Sequence, residues 1–144
     1  MVYLGSDHAG FVLKEELKKY LHERGFKYVD LGCFSDDPVD YPDVAREVAE
    51  KVAEDAAEDV KGVLVCGTGL GMCMAANKVK GIRAASMVNE NMAEMARRHN
   101  NANIACLGGK MVTLEEAKKL LDVFLNTGFD ADERHVRRIG KIEG

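Results

Sequence analysis

A parallel α/β sheet sandwiched between helices is the fold class this chain predicts, and three observations predict it. Short apolar runs recur at 2–5, 28–33, 62–66, 83–88 and 104–107. Helical patterns of apolar residues fill the intervals between them. Glycines and small polar residues gather where the runs end, which is where chains of this class turn from strand into helix. Strict alternation of strand and helix calls for right-handed crossovers, hence parallel strands with helices on both faces.

The elements follow in order. In 10–24, Leu13, Leu17, Tyr20 and Leu21 repeat at i, i+4, i+7 and i+8, and Gly25 stops the helix. In 42–56, Val44, Val48, Val52 and Ala56 form one stripe behind Pro42, a favourable first-turn residue. Residues 72–79 and 90–99 supply two more helices, and 113–126 begins with Thr113 and Glu116 in capping-box spacing. A strongly charged final helix covers about 132–142. No internal repeat, low-complexity tract or linker interrupts the 144 residues, which read as a single domain.

Composition narrows the function. A net charge of −4 argues against a nucleic-acid binder, which normally carries a basic surplus. No apolar run is long enough for export or spanning, so the cytoplasm is the expected compartment. Cys33, Cys66, Cys73 and Cys106 form no C-x-x-C pair and read as free thiols. A zinc site of Cys66, Cys73, Cys106 and His99 is an alternative, although it lacks the short paired spacing of structural zinc sites.

In parallel sheets, ligands bind beyond the carboxyl ends of the strands. The residues placed there are Ser6-Asp7-His8, Gly32-Cys33, Cys66 to Gly71, Asn89-Glu90 and Gly108-Gly109-Lys110. The loop 33–43, with Asp40-Tyr41-Pro42-Asp43 at its end, is long enough to wall a pocket. Cys66 is the sharpest candidate. Taken alone it is a small buried residue at a strand end. The glycine loop that follows it, Gly67-Thr68-Gly69-Leu70-Gly71, offers backbone N–H groups to an anion. The same field favours thiolate over thiol, which makes Cys66 a base or nucleophile beside an oxyanion cradle. Proton abstraction next to a carbonyl is the chemistry this suggests.

Other groups have ordinary readings beside functional ones. Thr68 is a turn residue or a hydrogen-bonding partner of the thiolate or a substrate oxygen. Asp7 is a helix cap or, with His8, a contact for sugar hydroxyls and phosphate. His99 suits a helix C-terminus, yet Asn100, Asn101 and Asn103 around it exceed what a helix end needs. A histidine there is also suited to proton transfer. Arg134, His135, Arg137, Arg138 and Lys141 form a basic cluster in an acidic chain. Arg134 and Arg138, four apart, share a helical face that fits a dianion. A dinucleotide reading of Gly67, Gly69 and Gly71, with Glu90 on a ribose, fails on spacing and on the lack of a second domain.

These segments together resemble one family. Ser6-Asp7-His8-Ala9-Gly10, Asp40-Tyr41-Pro42-Asp43, Cys66-Gly67-Thr68-Gly69-Leu70-Gly71, Ala75-Ala76-Asn77-Lys78, Gly81-Ile82-Arg83-Ala84, His99-Asn100-Asn101-Ala102-Asn103 and Arg134-His135-x-x-Arg138 are similar, in the same order, to the type B ribose-5-phosphate isomerases. That family groups with the galactose-6-phosphate and allose-6-phosphate isomerase subunits. The resemblance implies a three-layer α/β/α Rossmann-like domain with a five-stranded parallel sheet. It also implies a cofactor-free aldose–ketose isomerase, a homodimer or homotetramer in which two subunits build each site.

Carried over by position, Cys66 is the base that moves a proton between C1 and C2. Gly67, Gly69, Leu70 and Gly71 hold the enediolate oxygen with help from Thr68, and His99 opens the furanose ring. Asp7, Tyr41 and Asn100 contact sugar oxygens; His8, Arg134 and Arg138 contact the phosphate. Members with a glutamate base carry it after the last loop glycine; Met72 stands there, which puts this chain with the cysteine group. Lys110 occupies a position where many members have arginine, turning a forked contact into a point charge. The turn Asp130-Ala131-Asp132-Glu133 is one residue longer and more acidic. A six-carbon sugar phosphate isomerase, or a phosphate-binding module without turnover, is the alternative reading.

Overall fold

The computed structural model describes residues Met1–Gly144. Eleven elements alternate along the chain: β1 (Val2–Ser6), α1 (Phe11–Glu23), β2 (Tyr28–Asp30), α2 (Tyr41–Glu54), β3 (Lys61–Cys66), α3 (Leu70–Ala76), β4 (Ala84–Ser86), α4 (Glu90–Arg98), β5 (Ile104–Gly108), α5 (Leu114–Asn126) and α6 (Glu133–Glu143). All strand pairs are parallel, in the order β2-β1-β3-β5-β4. No helix is long and apolar enough to cross a membrane.

Side chains alternate across the pleat and sort the core into two halves. Leu4, Val63, Val65, Ala105 and Leu107 face one side, where Leu17 and Leu21 of α1, Ala93 of α4 and Leu120, Leu121 and Phe124 of α5 join them. Leu64, Cys66, Ile104 and Cys106 face the other, beneath Val48 and Val52 of α2 and Met72 and Ala76 of α3. The Cys66 side chain therefore points towards α2 and α3. Helices leave β3 on one face but β1 and β5 on the opposite face, so chain direction reverses on both sides of β3. Such switch points open crevices at the strand carboxyl ends.

Local sequence explains the element ends. Gly25, at φ +79°, follows α1 as expected. Thr113 Oγ1 accepts the Glu116 N–H at 3.1 Å and caps α5. Three expectations shift. The third helix spans Leu70–Ala76 rather than 72–79, because Asn77 leaves it to bond the edge strand: its Oδ1 accepts from Ala84 N at 2.7 Å and its Nδ2 donates to Ala84 O at 3.0 Å. The runs 28–33 and 83–88 pair as strands only over Tyr28–Asp30 and Ala84–Ser86.

The layers meet most tightly where β1, β3 and β5 end. A Cβ on Gly10 would lie 2.1 Å from the Val65 carbonyl oxygen, and one on Gly108 would lie 2.6 Å from the Thr68 carbonyl. Neither backbone neighbour can yield. Gly10→Ala is therefore expected to destabilise the protein at the upper end of the roughly 1–3 kcal/mol typical of overpacking. A shift of the urea midpoint to lower concentration is the check, with Gly128→Ala, which meets nothing within 4 Å, as control.

Candidate active site

Cys66 closes β3, and the loop after it folds back over its sulfur. The Gly69 N–H donates to Cys66 Sγ at 3.1 Å. This requires Gly69 at φ +81°, a conformation that suits glycine. The strands on either side lock the loop in place. Gly109 N donates to Cys66 O at 2.7 Å and Lys110 N to Gly67 O at 2.9 Å, while Asp7 N reaches Val65 O at 3.2 Å. Residue Ser86, which the sequence did not single out, donates from Oγ to Gly69 O at 2.7 Å and holds the loop from β4. Because α3 has only seven residues, local N–H groups matter here more than a long helix dipole.

Around this loop stand several of the residues expected in the site. Asp7 is buried and its Oδ1 accepts the Gly10 N–H at 3.0 Å; this closes the turn before α1, whose N-cap is Gly10, so Asp7 is not the helix cap the sequence suggested. His8 is exposed, and its Nδ1 accepts the Val39 N–H at 3.2 Å, leaving Nε2 to face outwards. The Tyr41 ring lies against the loop, where a Cβ on Gly71 would come within 2.7 Å of it. Thr68 is exposed and its Oγ1 accepts the Leu70 N–H at 3.3 Å. The Lys110 stem lies across Gly67.

Four expected residues lie elsewhere. His99 ends α4, and the loop after it runs along the amino ends of the strands: Gly62 N donates to Asn103 O at 2.8 Å, and Arg83 Nε to Asn100 O at 3.0 Å. Cys66 lies four residue steps beyond Gly62 in β3, about 13 Å along the strand. α6 joins this opposite pole. His135 stacks on His99 with ring centroids 4.4 Å apart, and Glu143 pairs with Arg83 at 2.6 Å. Arg134 and Arg138 are exposed on α6. Burial, then the charge of His99, pushes the His135 imidazole below its ordinary range. One chain thus carries two half-constellations at opposite ends of its sheet. Cys66, Cys73, Cys106 and His99 do not converge as a zinc site: no three histidine, cysteine or carboxylate side chains are placed to share a metal ion.

The Cys73 thiol donates to the Ala84 carbonyl at 3.4 Å; a hydrogen bond from Cys106 draws it down, against the opposing effect of burial and with help from Ser86. Cys106 is pushed well up by the same contact and by burial.

The chain matches the family model described as Ribose/Galactose Isomerase over residues 2–142. It belongs to that family. The protein is 47% identical over 142 residues to the probable ribose-5-phosphate isomerase B of Mycoplasma genitalium, covering 98% of this chain and 92% of that one. The solved structure of a ribose 5-phosphate isomerase from Thermotoga maritima superposes with a TM-score of 0.94 at 47% identity, covering 99% of this chain and 96% of the other. The Mycoplasma genitalium enzyme, solved with bound ribulose-5-phosphate, superposes with a TM-score of 0.92 at 46% identity, covering 99% and 93%.

The wall formed by the loop after β2 hangs from a buried cation that the sequence also passed over. Lys14 is wholly buried; its ammonium donates to Asp30 Oδ1 at 2.7 Å and to the Cys33 carbonyl, while Lys18 holds Asp30 Oδ2 at 2.8 Å. Burial alone would raise the Asp30 carboxyl, but hydrogen bonds from Lys14, Lys18 and the Gly32 N–H outweigh it and bring it below its ordinary 3.8. A depressed carboxyl contributes stability above its unfolded value and loses it as pH falls through the folded one. Unfolding free energy measured in urea is expected to drop as the pH is taken below about 4. Asp30→Asn is expected to be less stable at pH 7 and to show a shallower acid loss.

Proposed function

We propose that the protein interconverts D-ribose 5-phosphate and D-ribulose 5-phosphate through an enediolate, with Cys66 as the base. The Gly69 N–H on the Cys66 sulfur carries this reading. It sets a proton acceptor and an anion-stabilising loop side by side at a switch point of the sheet. The names of the relatives, and the ribulose-5-phosphate bound to one of them, support the same substrate pair.

From aldose to ketose, the Cys66 thiolate takes the proton from C2 of the open-chain sugar. The electron pair moves into the C1–C2 bond and the carbonyl oxygen becomes an enediolate oxygen. Return of the proton to C1, with transfer between the two oxygens, gives the ketose. Gly69 N–H steadies the thiolate and Leu70 N–H is engaged by Thr68 Oγ1, which leaves the N–H groups of Gly67 and Gly71 for the developing charge. Fixed donors of this kind are typically worth about 2.7–4 kcal/mol each. Asp7 and Tyr41 hold sugar oxygens, and His8 and Lys110 approach the phosphate. Binding energy from the phosphate, remote from the reaction, aligns C1 and C2 with the sulfur. The scheme calls on no metal or organic cofactor.

His99, Asn100, Arg134 and Arg138 enter from a second copy of the chain. Three features support that. These residues sit at the opposite pole of their own sheet. In the lone chain Cys66 is 5% exposed and lines no cavity; the largest cavity, about 530 Å³, lies instead against β4 and α6. Leu70, Met74 and Met111 beside the loop, and Val136 and Ile142 on α6, are all at least half exposed, an apolar surface that suits an interface. The partner's α6 then brings the arginine pair to the phosphate, and its His99 opens the ring. The four free thiols, Cys66 and Cys73 included, suit a reducing compartment such as the cytoplasm.

Cys66→Ala is expected to lower kcat by a factor of about 10²–10⁴, the usual contribution of a general base. A coupled assay with ribose 5-phosphate checks this, run in parallel with allose 6-phosphate and galactose 6-phosphate to test the six-carbon reading. Wild-type turnover would remove Cys66 as the base. Mixing Cys66→Ala with His99→Ala after joint refolding tests the shared site. In a symmetric dimer one site of each mixed pair is intact, so about a quarter of wild-type activity returns. A site built from one chain would recover none.

A further inference from the structure

Gly69 meets the Cys66 sulfur in a backbone conformation that its lack of a side chain leaves undefended. It gives its N–H to Sγ from φ +81° and ψ −1°, and a glycine can leave such a state at little steric cost. Two backbone bonds tie down the start of the loop, from Gly109 N to Cys66 O and from Lys110 N to Gly67 O. Neither reaches Gly69. Its Cα is backed by the end of β5, where an added Cβ would lie 3.0 Å from the Leu107 carbonyl carbon. Its carbonyl receives a single side-chain hydrogen bond, from Ser86 Oγ at 2.7 Å.

The sheet register puts Ser86 where it can do this. It is the last residue of β4 and pairs with Cys106 of β5, which in turn pairs with Leu64 of β3. Register partners in a parallel sheet share a face, and Cys66 lies two residues beyond Leu64. The side chains of Ser86, Cys106, Leu64 and Cys66 therefore all point towards α2 and α3. Ser86 is half-buried, Gly69 is buried, and the hydroxyl has one proton to give. The 2.7 Å separation is that of a well-formed O–H···O bond.

We propose that Ser86 is a positioning residue for the proton transfer described above: its hydroxyl fixes the Gly69 carbonyl and, through the Gly69 backbone, aims the N–H at the Cys66 sulfur. The kinetic consequence rests on that reaction; the hold on Gly69 does not. An edge strand, separated from the base by the whole of β5, thereby sets the geometry at the sulfur. Contacts to the sugar phosphate come from other side chains, so the hydroxyl bears on turnover rather than on binding. A small misplacement of a catalytic group is enough to slow a reaction without weakening the complex.

Steady-state kinetics with ribose 5-phosphate, and amide hydrogen exchange of the ¹⁵N-labelled full-length protein without substrate, test this in Ser86→Ala, Ser86→Thr and Ser86→Val. The last two substitutions are close in shape and differ by the hydroxyl. Ser86→Ala is expected to lower kcat about three- to tenfold, the equivalent of one hydrogen bond, while KM moves by less than about twofold. Ser86→Thr should recover most of that loss and Ser86→Val should not. The Gly69 amide should exchange faster by a similar factor in Ser86→Ala and Ser86→Val, while the Gly109 and Lys110 amides keep their wild-type rates. Wild-type kcat in Ser86→Ala, a change confined to KM, or equal kcat in Ser86→Thr and Ser86→Val would overturn the proposal. Faster exchange at Gly109 and Lys110 as well would mark a general loosening, which also overturns it. If the wild type itself fails to isomerise the sugar phosphate, the reaction is at fault, and the Gly69 exchange ratio still decides whether Ser86 holds the peptide.

Discussion

The close passage of the backbone past itself at the ends of β1, β3 and β5 is the constraint on which the carboxyl pole depends. Gly10 sits over the Val65 carbonyl and Gly108 over Thr68, at separations that leave no room for a side chain. Gly109 and Lys110 then tie the loop down through the carbonyls of Cys66 and Gly67. Only because three strand ends are drawn this close does the loop after Cys66 curl tightly enough to place the Gly69 N–H on its sulfur. Chemistry at this sulfur therefore rests on backbone packing more than on any side-chain partner.

How much of this the sequence discloses varies with how local each feature is. β3 is buried along its whole length and after Lys61 reads as an apolar run, as do β5 and the part of β1 before Ser6. The edges are harder. β4 is shortened by Asn77, whose side chain satisfies Ala84 from a helix end, and no periodicity reveals such a bond. Gly71 looks like a third loop glycine but lies inside α3, kept small by the Tyr41 ring. That is a packing requirement between distant segments.

The site shows the same division. Cys66, Thr68 and the glycines are contiguous, so their chemistry is legible as a string. The separation of His99, Asn100, Arg134 and Arg138 from them follows from the direction of α4, which returns from the carboxyl to the amino side of the sheet. It emerges only when the elements are placed in space. Lys14 left a faint mark: it falls three residues before Leu17 and seven before Leu21, on the buried stripe of α1. Ser86 left none. One serine within a strand is too common to signal a strut.

The cysteines beneath α3 bear on how the chemistry can be probed. Cys73 sits half-buried, its thiol donating to the Ala84 carbonyl at 3.4 Å and drawn down by Cys106 and Ser86 rather than by the glycine loop. The helix therefore carries a second thiol, outside the proposed proton transfer. Iodoacetamide or a maleimide would label two sites of unlike purpose. Inactivation by such a reagent identifies the base only in a protein from which Cys73 has been removed.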